Sequence, residues 1–411
     1  MRARTLAVFL SLIPAWAAAQ PAAEGALEKL ARRFAPGMEL SAPPAAPAAA
    51  PAGPGAEEFI QVGADRLEPL VDAPAFVAAS LETMRGARLA IDLEMFDLEY
   101  EELAAELCAR ARAGVAVRVV LDPFVGVTPA QMVRKRRRVD QLRAAGARVV
   151  FYPTRDLHGA PFKIDHVKLL VADGRVAVAG GTNWSHDVAV RHDFNVRLEG
   201  PAVLRLERIF ARDWALAAGR PLPPLEAPSY DPAAGLQILI TDADHREPLE
   251  AILTRIRAAR TSIRTEQFLL DQKDVVSALI AAHRRGVDVR VLLDPNSFFF
   301  GGVNIETEQT LLKAGVPVRT FHDPTGAETL LHAKMAVFDG RDVIVGSANW
   351  SRNALQVNHE LALMFRDPAI AADFSATFDA DWNGRSRPAE VHGGLSGILL
   401  RLTSGLAGLF S

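Results

Sequence analysis

Three polar side chains recur at equal spacing in two stretches of the chain. The six residues are His166, Lys168, Asn183, His332, Lys334 and Asn349. In both stretches the lysine lies two positions after the histidine, and the asparagine lies seventeen positions after it. Because alternate side chains of a β-strand share a face, each histidine and its lysine should point at the same target. We predict that the two sets form one site.

These residue types suit displacement at the phosphorus of a phosphodiester. Two lysines and two asparagine amides can stabilise the negative charge that gathers on the phosphate oxygens, without a metal or another cofactor. A neutral imidazole can attack phosphorus and form a phosphohistidine. The second imidazole can protonate the leaving alkoxide and then deprotonate the incoming water or alcohol. Since one copy cannot place two imidazoles on opposite sides of one phosphorus, both copies are needed.

An Asp-Gly pair follows each motif and is the strongest short-range signal for a hairpin. We expect Asp173 and Asp339, the acids of these pairs, to shape the turn and not to take part in chemistry. A two-residue loop would place Lys168 opposite Ala179. It would also place a small residue, Gly181, opposite the preceding histidine, which would leave room for a bound group.

The two stretches belong to a long internal repeat. Glu94 and Phe96 of the first copy correspond to Glu266 and Phe268 of the second. Each copy continues with a helix, an apolar strand that ends in Asp-Pro, a second helix and the motif, and closes on Phe-x-x-Asp-Trp. This alternation predicts an α/β protein with two duplicated α/β/α lobes, related by a pseudo-twofold axis, with the site at their interface.

Composition changes along the chain predict six segments. They are a signal peptide (1–19), a short amphipathic helix with an Ala/Pro-rich linker (20–57), the first lobe (58–218), a second linker (219–235), the second lobe (236–385) and an apolar tail (386–411). Arg2 and Arg4 precede the apolar run Leu6–Trp16, which is shorter than the roughly 20 residues that span a bilayer. We therefore expect an exported protein, periplasmic or secreted and peripherally attached to a membrane, with an uncleaved anchor as the alternative.

Composition and charge limit the classes of function. The formal net charge is -3 and hydrophobic residues make up 49% of the chain, as in an ordinary globular protein. A chain without a basic excess is a weak candidate for nucleic-acid binding. Cys108 is the single cysteine, so an internal disulfide and a cysteine-based metal site are both excluded.

The paired H-x-K-x4-D motifs, each followed by G-[GS]-x-N, resemble those of the phospholipase D superfamily over about residues 59–385. Segments 199–203 and 285–290 are similar to those of bacterial cardiolipin synthases. The front of the chain differs, because those synthases usually carry two transmembrane helices. The resemblance implies the duplicated phospholipase D fold and a phosphohistidine mechanism.

The resemblance also implies roles for individual side chains. Asp193 and Glu360 would each hold a catalytic histidine by its second ring nitrogen, although an acid on a strand can also be merely exposed. The neighbouring residues His192 and His359 are expected to be structural. The family commonly uses the first-half histidine as nucleophile, so the histidine of the first motif is assigned that role and the second that of acid and base.

The resulting hypothesis is a phospholipase D-type phosphodiesterase or phosphatidyltransferase that cleaves or exchanges phospholipid head groups. The alternatives are cardiolipin synthase-like transfer to phosphatidylglycerol and an exported, metal-independent nuclease. A non-catalytic binding module would require a broken motif, and both motifs are intact.

Three further segments bear on the substrate. A predicted strand is followed by three phenylalanines, Phe298, Phe299 and Phe300. We interpret them as a rim that faces acyl chains or dips into a membrane, and ordinary packing is the alternative. The basic run Arg134–Arg138 lies on a predicted helix, and we interpret it first as a solvated face. The alternatives, in order, are a site for anionic head groups and a site for nucleic acid. Residues 395–410 suit an interfacial helix or a docked tail.

Overall fold

The computed structural model describes residues 59–124, 129–155, 159, 164–222, 235–295 and 303–390. The predicted signal peptide, the first linker, the three phenylalanines at 298–300 and the apolar segment 395–410 lie outside these residues. Within them, two eight-stranded sheets form the framework of two lobes.

The first lobe contains nine strands and four helices among the described residues. In chain order they are β1 (Ile60–Val62), β2 (Asp65–Val71), α1 (Asp72–Gly86), β3 (Ala90–Met95), α2 (Glu101–Arg112), β4 (Ala116–Leu121), α3 (Pro129–Ala144), β5 (Arg148–Phe151), β6 (Lys168–Ala172), β7 (Val176–Gly180), β8 (Arg191–His192), β9 (Phe194–Glu199) and α4 (Pro201–Ala217). A 3-10 turn, Val188–Val190, precedes β8.

The second lobe repeats this order with small variations. Its elements are β10 (Leu236–Thr241), α5 (Glu247–Ala258), β11 (Ser262–Gln267), α6 (Lys273–Arg284), β12 (Asp288–Leu293), α7 (Val303–Lys313), β13 (Val318–Phe321), β14 (Leu330–Leu331), β15 (Lys334–Phe338), β16 (Asp342–Gly346), α8 (Arg352–Gln356), β17 (Glu360–Arg366), α9 (Pro368–Gly384) and β18 (Ser386–Pro388).

The two sheets share one strand order, which confirms the predicted duplication. The first runs β1-β2-β9-β7-β6-β3-β4-β5 and the second β10-β17-β16-β15-β11-β12-β13-β18. Strands β3, β4 and β5 are parallel, as are β11, β12 and β13, and the remaining pairings are antiparallel. The lobes differ at their edges, since β1 extends one sheet beside β2 and β18 extends the other beside β13. The second sheet therefore continues past residue 385.

Apolar side chains on both faces of each sheet explain the layers. Val119 and Val120 are neighbours on β4 and are both fully buried, but they belong to different cores. One core lies between the first sheet and α1, α2 and α3, and an equivalent core lies between the second sheet and α5, α6 and α7. A third, shared core contains residues of both sheets together with α4 and α9. Strands buried on both faces are expected when helices cover a parallel sheet.

The pairing within the motif hairpins differs by one residue from the predicted register. Leu169, and not Lys168, lies opposite Ala179. The second hairpin shows the same shift, with Met335 opposite Val345. The predicted two-residue loop is therefore wrong.

The geometry of the turn explains the shift. The N–H of Arg175 donates to the carbonyl of Ala172 at 2.9 Å, but strand pairing resumes only at Val176, so the loop holds three residues. Asp173 and Gly174 have φ of 53° and 63°, in the left-handed region that Asp-Gly pairs favour. The sequence signal for a turn was right, and the count of loop residues was not.

The basic run of α3 is a solvated face only in part, since Arg136 and Arg137 are exposed but two of its other members are buried. Lys135 is only 2% exposed, and its ammonium donates to the carbonyls of Phe96, Asp122 and Phe124 at 2.5–3.0 Å. Arg138 is also buried. At these two positions the positive charge holds main-chain carbonyls at the ends of β3 and β4.

None of the described helices is long and apolar enough to span a membrane.

Candidate active site

The segments that precede β6 and β15 carry the two motif histidines. The strand-end acids hold these segments in place. Asp122 Oδ2 accepts a hydrogen bond from the N–H of Asp165 at 2.6 Å, and Asp294 Oδ2 accepts one from the N–H of Leu331 at 2.9 Å. Each acceptor belongs to the Asp-Pro pair that ends a parallel strand, so the repeat places both histidines at the carboxyl ends of their sheets.

Main-chain hydrogen bonds between the lobes bring the two histidines to one interface. The N–H of His166 donates to the carbonyl of His359, and the N–H of His332 donates to the carbonyl of His192, both at 2.8 Å. Next to these bonds, β8 of the first lobe pairs in parallel with β14 of the second. The predicted site therefore lies where main-chain hydrogen bonds join the two lobes.

His166 is oriented by residues of the opposite lobe. Its Nδ1 lies 3.0 Å from Glu360 Oε2 and 3.1 Å from the carbonyl oxygen of Ser347. Since both partners are acceptors, Nδ1 carries the proton and donates it. The Nε2 lone pair of His166 is then the nucleophilic position.

His332 is held in the same way across the interface. Its Nδ1 lies 2.6 Å from Asp193 Oδ2, and Asp193 belongs to the first lobe. Each lobe thus supplies one imidazole and the carboxylate that orients the imidazole of the other lobe. The resemblance had suggested that Asp193 and Glu360 hold histidines, and the geometry adds that the pairs cross between lobes.

The small residues after β7 and β16 fit these acids. A Cβ added at Gly181 would overlap the carboxylate of Asp193, so this glycine provides the space that the acid occupies. In the second lobe Ser347 takes its place, and its hydroxyl donates to Glu360 Oε2 at 2.6 Å. The room expected beside the histidines is therefore filled by the carboxylates.

The two lysines lie beside their histidines and are buried. Lys168 Nζ donates to the carbonyl of His166 at 2.6 Å. Lys334 Nζ donates to the carbonyl of His332 and also lies 3.2 Å from His332 Nε2. The motif thus places an ammonium next to each imidazole.

The electrostatics link the two halves of the site. Burial is the main reason that the pKa of His166 falls to about 4, and the charges of Lys168 and Lys334 lower it further, against the effect of Glu360. Burial and then Lys334 hold the pKa of His332 well below its ordinary value. Because each histidine responds to the lysine of the other lobe, the two motifs act on a common space.

The pKa values of the lysines fall for the same reason. Burial lowers the pKa of Lys334 to about 8, although Asp193 opposes the change. Burial also lowers the pKa of Lys168 well below its ordinary range, with Lys334 contributing to the same effect. Two buried ammonium groups near each other make the site a strong attractor for an anion.

Asn183 and Asn349 follow the last strands of the two hairpins. Asn183 is 5% exposed, Asn349 is half-buried, and the side-chain oxygen of each accepts no hydrogen bond from a described residue. The tryptophan that follows each asparagine anchors the segment through its carbonyl, which accepts two main-chain N–H groups in either lobe. The contribution of these amides to substrate binding remains a prediction.

Asp173 and Asp339 lie at the turns and bind main chain. Asp173 accepts hydrogen bonds from the N–H groups of three consecutive residues, 88–90, at 2.7–2.8 Å. Asp339 likewise accepts from the N–H groups of residues 260–262. These contacts tie each hairpin to the start of the neighbouring strand, which is the work of a structural residue.

Phe96 and Phe268 lie against the two motif histidines. In the sequence these phenylalanines served only to align the two copies of the repeat. The ring of Phe96 contacts His166 edge-on with centroids 5.2 Å apart, and Phe268 lies 4.9 Å from His332. Phe124 stacks on Phe96 at 5.8 Å. The position of Phe96 and Phe268 at the ends of equivalent strands was the signal that could have identified them.

Two polar neighbours of the carboxylates break the symmetry of the site. Arg191 pairs with Asp187 at 2.9 Å, and its charge lowers the pKa of His332. At the equivalent position Asn358 donates to Glu360 Oε1 at 3.1 Å. The His332 side of the site is therefore more positive.

Three groups of histidine and carboxylate side chains in the described residues are compact enough to hold a metal ion, with their donor atoms within 4.8 Å of one another. They are Asp72, His192 and Glu328; Glu94, Asp213 and His359; and His192, Glu266 and Asp381. None includes a motif histidine or lysine, so no such group belongs to the predicted phosphate site.

Comparison with known proteins adds a family. The family model described as "Cardiolipin synthase, PLD-like domain" matches residues 81–214 and 252–382. Cardiolipin synthase A of Pseudomonas fluorescens (strain SBW25) is 30% identical over 325 residues, which are 74% of this chain and 66% of that protein. Cardiolipin synthase A of Pectobacterium carotovorum subsp. carotovorum (strain PC1) is 28% identical over 70% of this chain and 62% of that protein. The chain therefore spans just under two thirds of the length of these relatives.

The fold has a solved counterpart. Phosphatidylserine synthase of Haemophilus influenzae Rd KW20 superposes with a TM-score of 0.64 at 14% identity, over 86% of this chain and 94% of that one. The match therefore supports the two-lobed fold. The family model, which matches both repeats over more than half of the chain, shows that this chain belongs to the cardiolipin synthase, PLD-like family of the phospholipase D superfamily.

Proposed function

We propose that this protein is a phosphatidyltransferase that moves a phosphatidyl group from one phospholipid to the hydroxyl of another, as in cardiolipin synthesis from phosphatidylglycerol. The observation that carries the proposal is the pair of crossed histidine–carboxylate contacts, His166 with Glu360 and His332 with Asp193, beside two buried lysines. The similarity to cardiolipin synthases supports this narrower function over head-group hydrolysis.

The geometry supports a two-step reaction. In the first step His166 Nε2 forms a bond to phosphorus, the bond to the head-group oxygen breaks, and His332 gives that oxygen a proton. In the second step His332 takes a proton from the acceptor hydroxyl, whose oxygen attacks phosphorus and releases His166. The ammonium groups of Lys168 and Lys334 stabilise the charge on the phosphate oxygens in both steps.

Substrate binding prepares His332 for its role as an acid. The pKa of His332 is low in the free protein because of burial and of the nearby Lys334. A bound phosphodiester brings a negative charge that offsets the lysines, so it raises the pKa of the histidine that must act as an acid. His166 needs no such change, because its Nδ1–H is held by Glu360 and its Nε2 is unprotonated at neutral pH.

The test is incubation of the purified full chain with labelled phosphatidylglycerol in mixed micelles. We expect cardiolipin and glycerol in equal amounts, and we expect loss of both in His166→Ala. His283→Gln on α6 serves as a control because no site contact involves this residue. Phosphatidic acid as the only lipid product would show a hydrolase instead. Cleavage of single-stranded DNA with lipids untouched would show a nuclease.

The pH dependence of kcat/KM should follow the two shifted groups. His166 attacks only when neutral, and its pKa of about 4 places the rising limb near pH 4. Lys334 stabilises phosphate only when protonated, and its pKa of about 8 places the falling limb near pH 8 or below, because burial also lowers the pKa of Lys168. A profile with a soluble p-nitrophenyl phosphodiester between pH 3 and pH 10 checks this, because its leaving group needs no proton and the low pKa of His332 then does not limit the first step. Circular dichroism confirms folding. A rising limb at about pH 6.5, the ordinary value for histidine, would contradict the buried, lysine-flanked environment.

Turnover is expected to survive EDTA. The lysines already balance the phosphate charge, and a histidine is the proposed nucleophile, so neither step requires a metal-bound water. The measurement compares rates with and without chelator on a soluble substrate, since calcium also changes how lipids pack. Complete loss that only a divalent ion restores would count against the mechanism.

We further propose that the reaction takes place at a membrane surface outside the cytoplasm. The support is the sequence at 1–19 and the lipid nature of the proposed substrate. Fractionation of cells that express the full chain would test this, and recovery of the active protein only from the cytosol would reject it.

A further inference from the structure

Two buried histidines beside the catalytic residues have unusual surroundings. His359 Nε2 lies 3.0 Å from Asp213 Oδ2 and 3.6 Å from Glu94 Oε1, and its Nδ1 lies 3.3 Å from the carbonyl oxygen of Thr241. His359 belongs to the second lobe, whereas Asp213 and Glu94 belong to the first. All three side chains are buried.

His192, in the first lobe, has an equivalent environment that includes acids of the second lobe. Its Nε2 lies 3.1 Å from Asp381 Oδ2 and 3.4 Å from Glu266 Oε2, both in the second lobe. Its Nδ1 lies 2.6 Å from Asp72 Oδ1 and 3.3 Å from Glu328 Oε2. His192 itself has no exposed surface.

The two clusters are copies of one construction. Glu94 and Glu266 occupy equivalent positions in the repeat, near the ends of β3 and β11. Asp213 and Asp381 are the acids of the two Phe-x-x-Asp-Trp segments, on α4 and α9. Each lobe therefore inserts a histidine between a strand acid and a helix acid of its neighbour.

Oxygen atoms face every ring nitrogen of His192 and His359. Both nitrogens of His359 and Nδ1 of His192 have hydrogen-bonding partners, and Nε2 of His192 lies within ion-pair distance of two carboxyl groups. This arrangement favours a doubly protonated, positively charged ring at both positions. In agreement, burial lowers the pKa of His359 but the nearby acids, Asp213 first, outweigh it and raise the value to about 10. The acids around His192, Asp72 first, raise its pKa well above the ordinary value in spite of burial.

Aromatic rings cover the flat faces of both imidazoles, with Tyr152 stacked on His359 at 4.9 Å and Phe321 on His192 at 5.5 Å. Each cluster places a buried histidine among carboxyl groups of the opposite lobe, and His192 also contacts Asp72 of its own lobe.

The anchored residues are also those that hold the catalytic histidines. The carbonyl of His359 accepts the N–H of His166, and the next residue, Glu360, accepts Nδ1–H of the same histidine. The carbonyl of His192 and the carboxylate of the following residue do the same for His332. Fixing one buried ring therefore fixes two contacts to a catalytic imidazole.

We propose that His192 and His359 are positioning residues, imidazolium anchors that lock each orienting carboxylate onto the catalytic histidine of the opposite lobe. His359 acts through Glu360 on His166, and His192 acts through Asp193 on His332. This inference rests on the proposed function, because its test follows the two catalytic steps.

Variants with glutamine at each anchor test the inference with two substrates, a phospholipid and a p-nitrophenyl phosphodiester whose leaving group needs no proton. His359→Gln should lower kcat by similar factors on both, up to about 100-fold, because a displaced nucleophile affects every substrate. His192→Gln should lower kcat far more on the phospholipid, because it displaces the proton donor. His283→Gln should match the wild type on both.

The outcomes separate positioning from loss of stability. Positioning is supported if the two anchor variants differ in how their losses depend on the substrate. This holds also if the two patterns are exchanged between the variants, because the catalytic histidines would then have exchanged roles. Equal losses on both substrates in both variants, or no loss in either, would overturn it. A wild-type protein without turnover on any phosphodiester would instead reject the proposed function.

Two measurements apply if the glutamine variants do not fold. Asp213→Asn and Asp381→Asn keep the histidines and remove one charge from each cluster, so they should show the same two substrate patterns with smaller losses. Nitrogen-15 spectra of the wild type should show two histidines doubly protonated at pH 8. Neutral rings at both positions would remove the basis of the anchors.

Discussion

Replacing His166 by alanine is expected to abolish turnover of every phosphodiester, whereas replacing His332 should spare part of the reaction. The difference follows from the roles proposed for them, in which His166 forms the bond to phosphorus and His332 only moves protons. Without His166 Nε2 the covalent path is absent, whatever the leaving group.

The His332→Ala protein should distinguish substrates by their leaving groups. General acid–base help contributes roughly 10²–10⁴-fold, and a phospholipid head group, which leaves as an alkoxide, needs that help. A p-nitrophenolate leaves without a proton. We therefore expect a loss near the upper end of that range on phospholipid and a much smaller loss in the first step on a p-nitrophenyl phosphodiester.

The same variant should accumulate phosphohistidine. Nothing in His332→Ala activates the acceptor hydroxyl, so the second step stalls after the first has taken place. Acid-quenched mass spectrometry of the peptide that contains residue 166 measures the intermediate, with His283→Gln as the control. Label on His332 in the His166→Ala protein, with none on His166 in the converse variant, would reverse the assignment. Label on neither histidine in an active enzyme would rule out covalent catalysis.

The sequence predicted the repeat and the proximity of each motif histidine to its lysine because spacing alone determines them. A histidine and a lysine two positions apart share a face of a strand in any register, so their proximity survived the error in the loop. The turn was recognised from its Asp-Gly pair, but the length of its loop was not. Asp173 accepts hydrogen bonds from three main-chain N–H groups, and the Asp-Gly pair alone does not specify the loop length that results.

The pairing between lobes could not be deduced from the chain order. Asp193 lies 27 residues after His166 and 139 before His332, yet it bonds the latter. Only the packing of two complete lobes through the shared core decides which carboxylate reaches which ring. The same limit applies to His192 and His359, which were expected to be structural from their place on the strand without any indication of their partners.

The buried basic residues show a different limit. Lys135 stands in a run of five basic residues, and a run of like charges is usually solvated. Its ammonium instead satisfies three carbonyls that the ends of β3 and β4 leave free. The sequence gives the positions of the charged residues. The main-chain carbonyls that they bind can be identified only from the folded structure.

The crossed pairing makes a second large prediction, which double variants can test. Glu360→Gln should lower turnover by up to about 10⁴-fold, the loss that follows when an amide replaces the acid that orients a catalytic histidine in a serine-protease triad. The cause is the same, because an amide can hold His166 in the wrong tautomer. Asp193→Asn should have its effect only through His332.

The decisive measurement uses the His332→Ala protein and the p-nitrophenyl substrate, on which that protein retains first-step activity. Adding Asp193→Asn should then cost nothing further, because the side chain that Asp193 orients is already gone, while adding Glu360→Gln should cost as much as it does in the wild type. Pairing within each lobe makes the opposite prediction, with Asp193→Asn harmful and Glu360→Gln silent in this background. Equal additional losses from both changes would mean that the carboxylates act on the site as a whole and not through one histidine each.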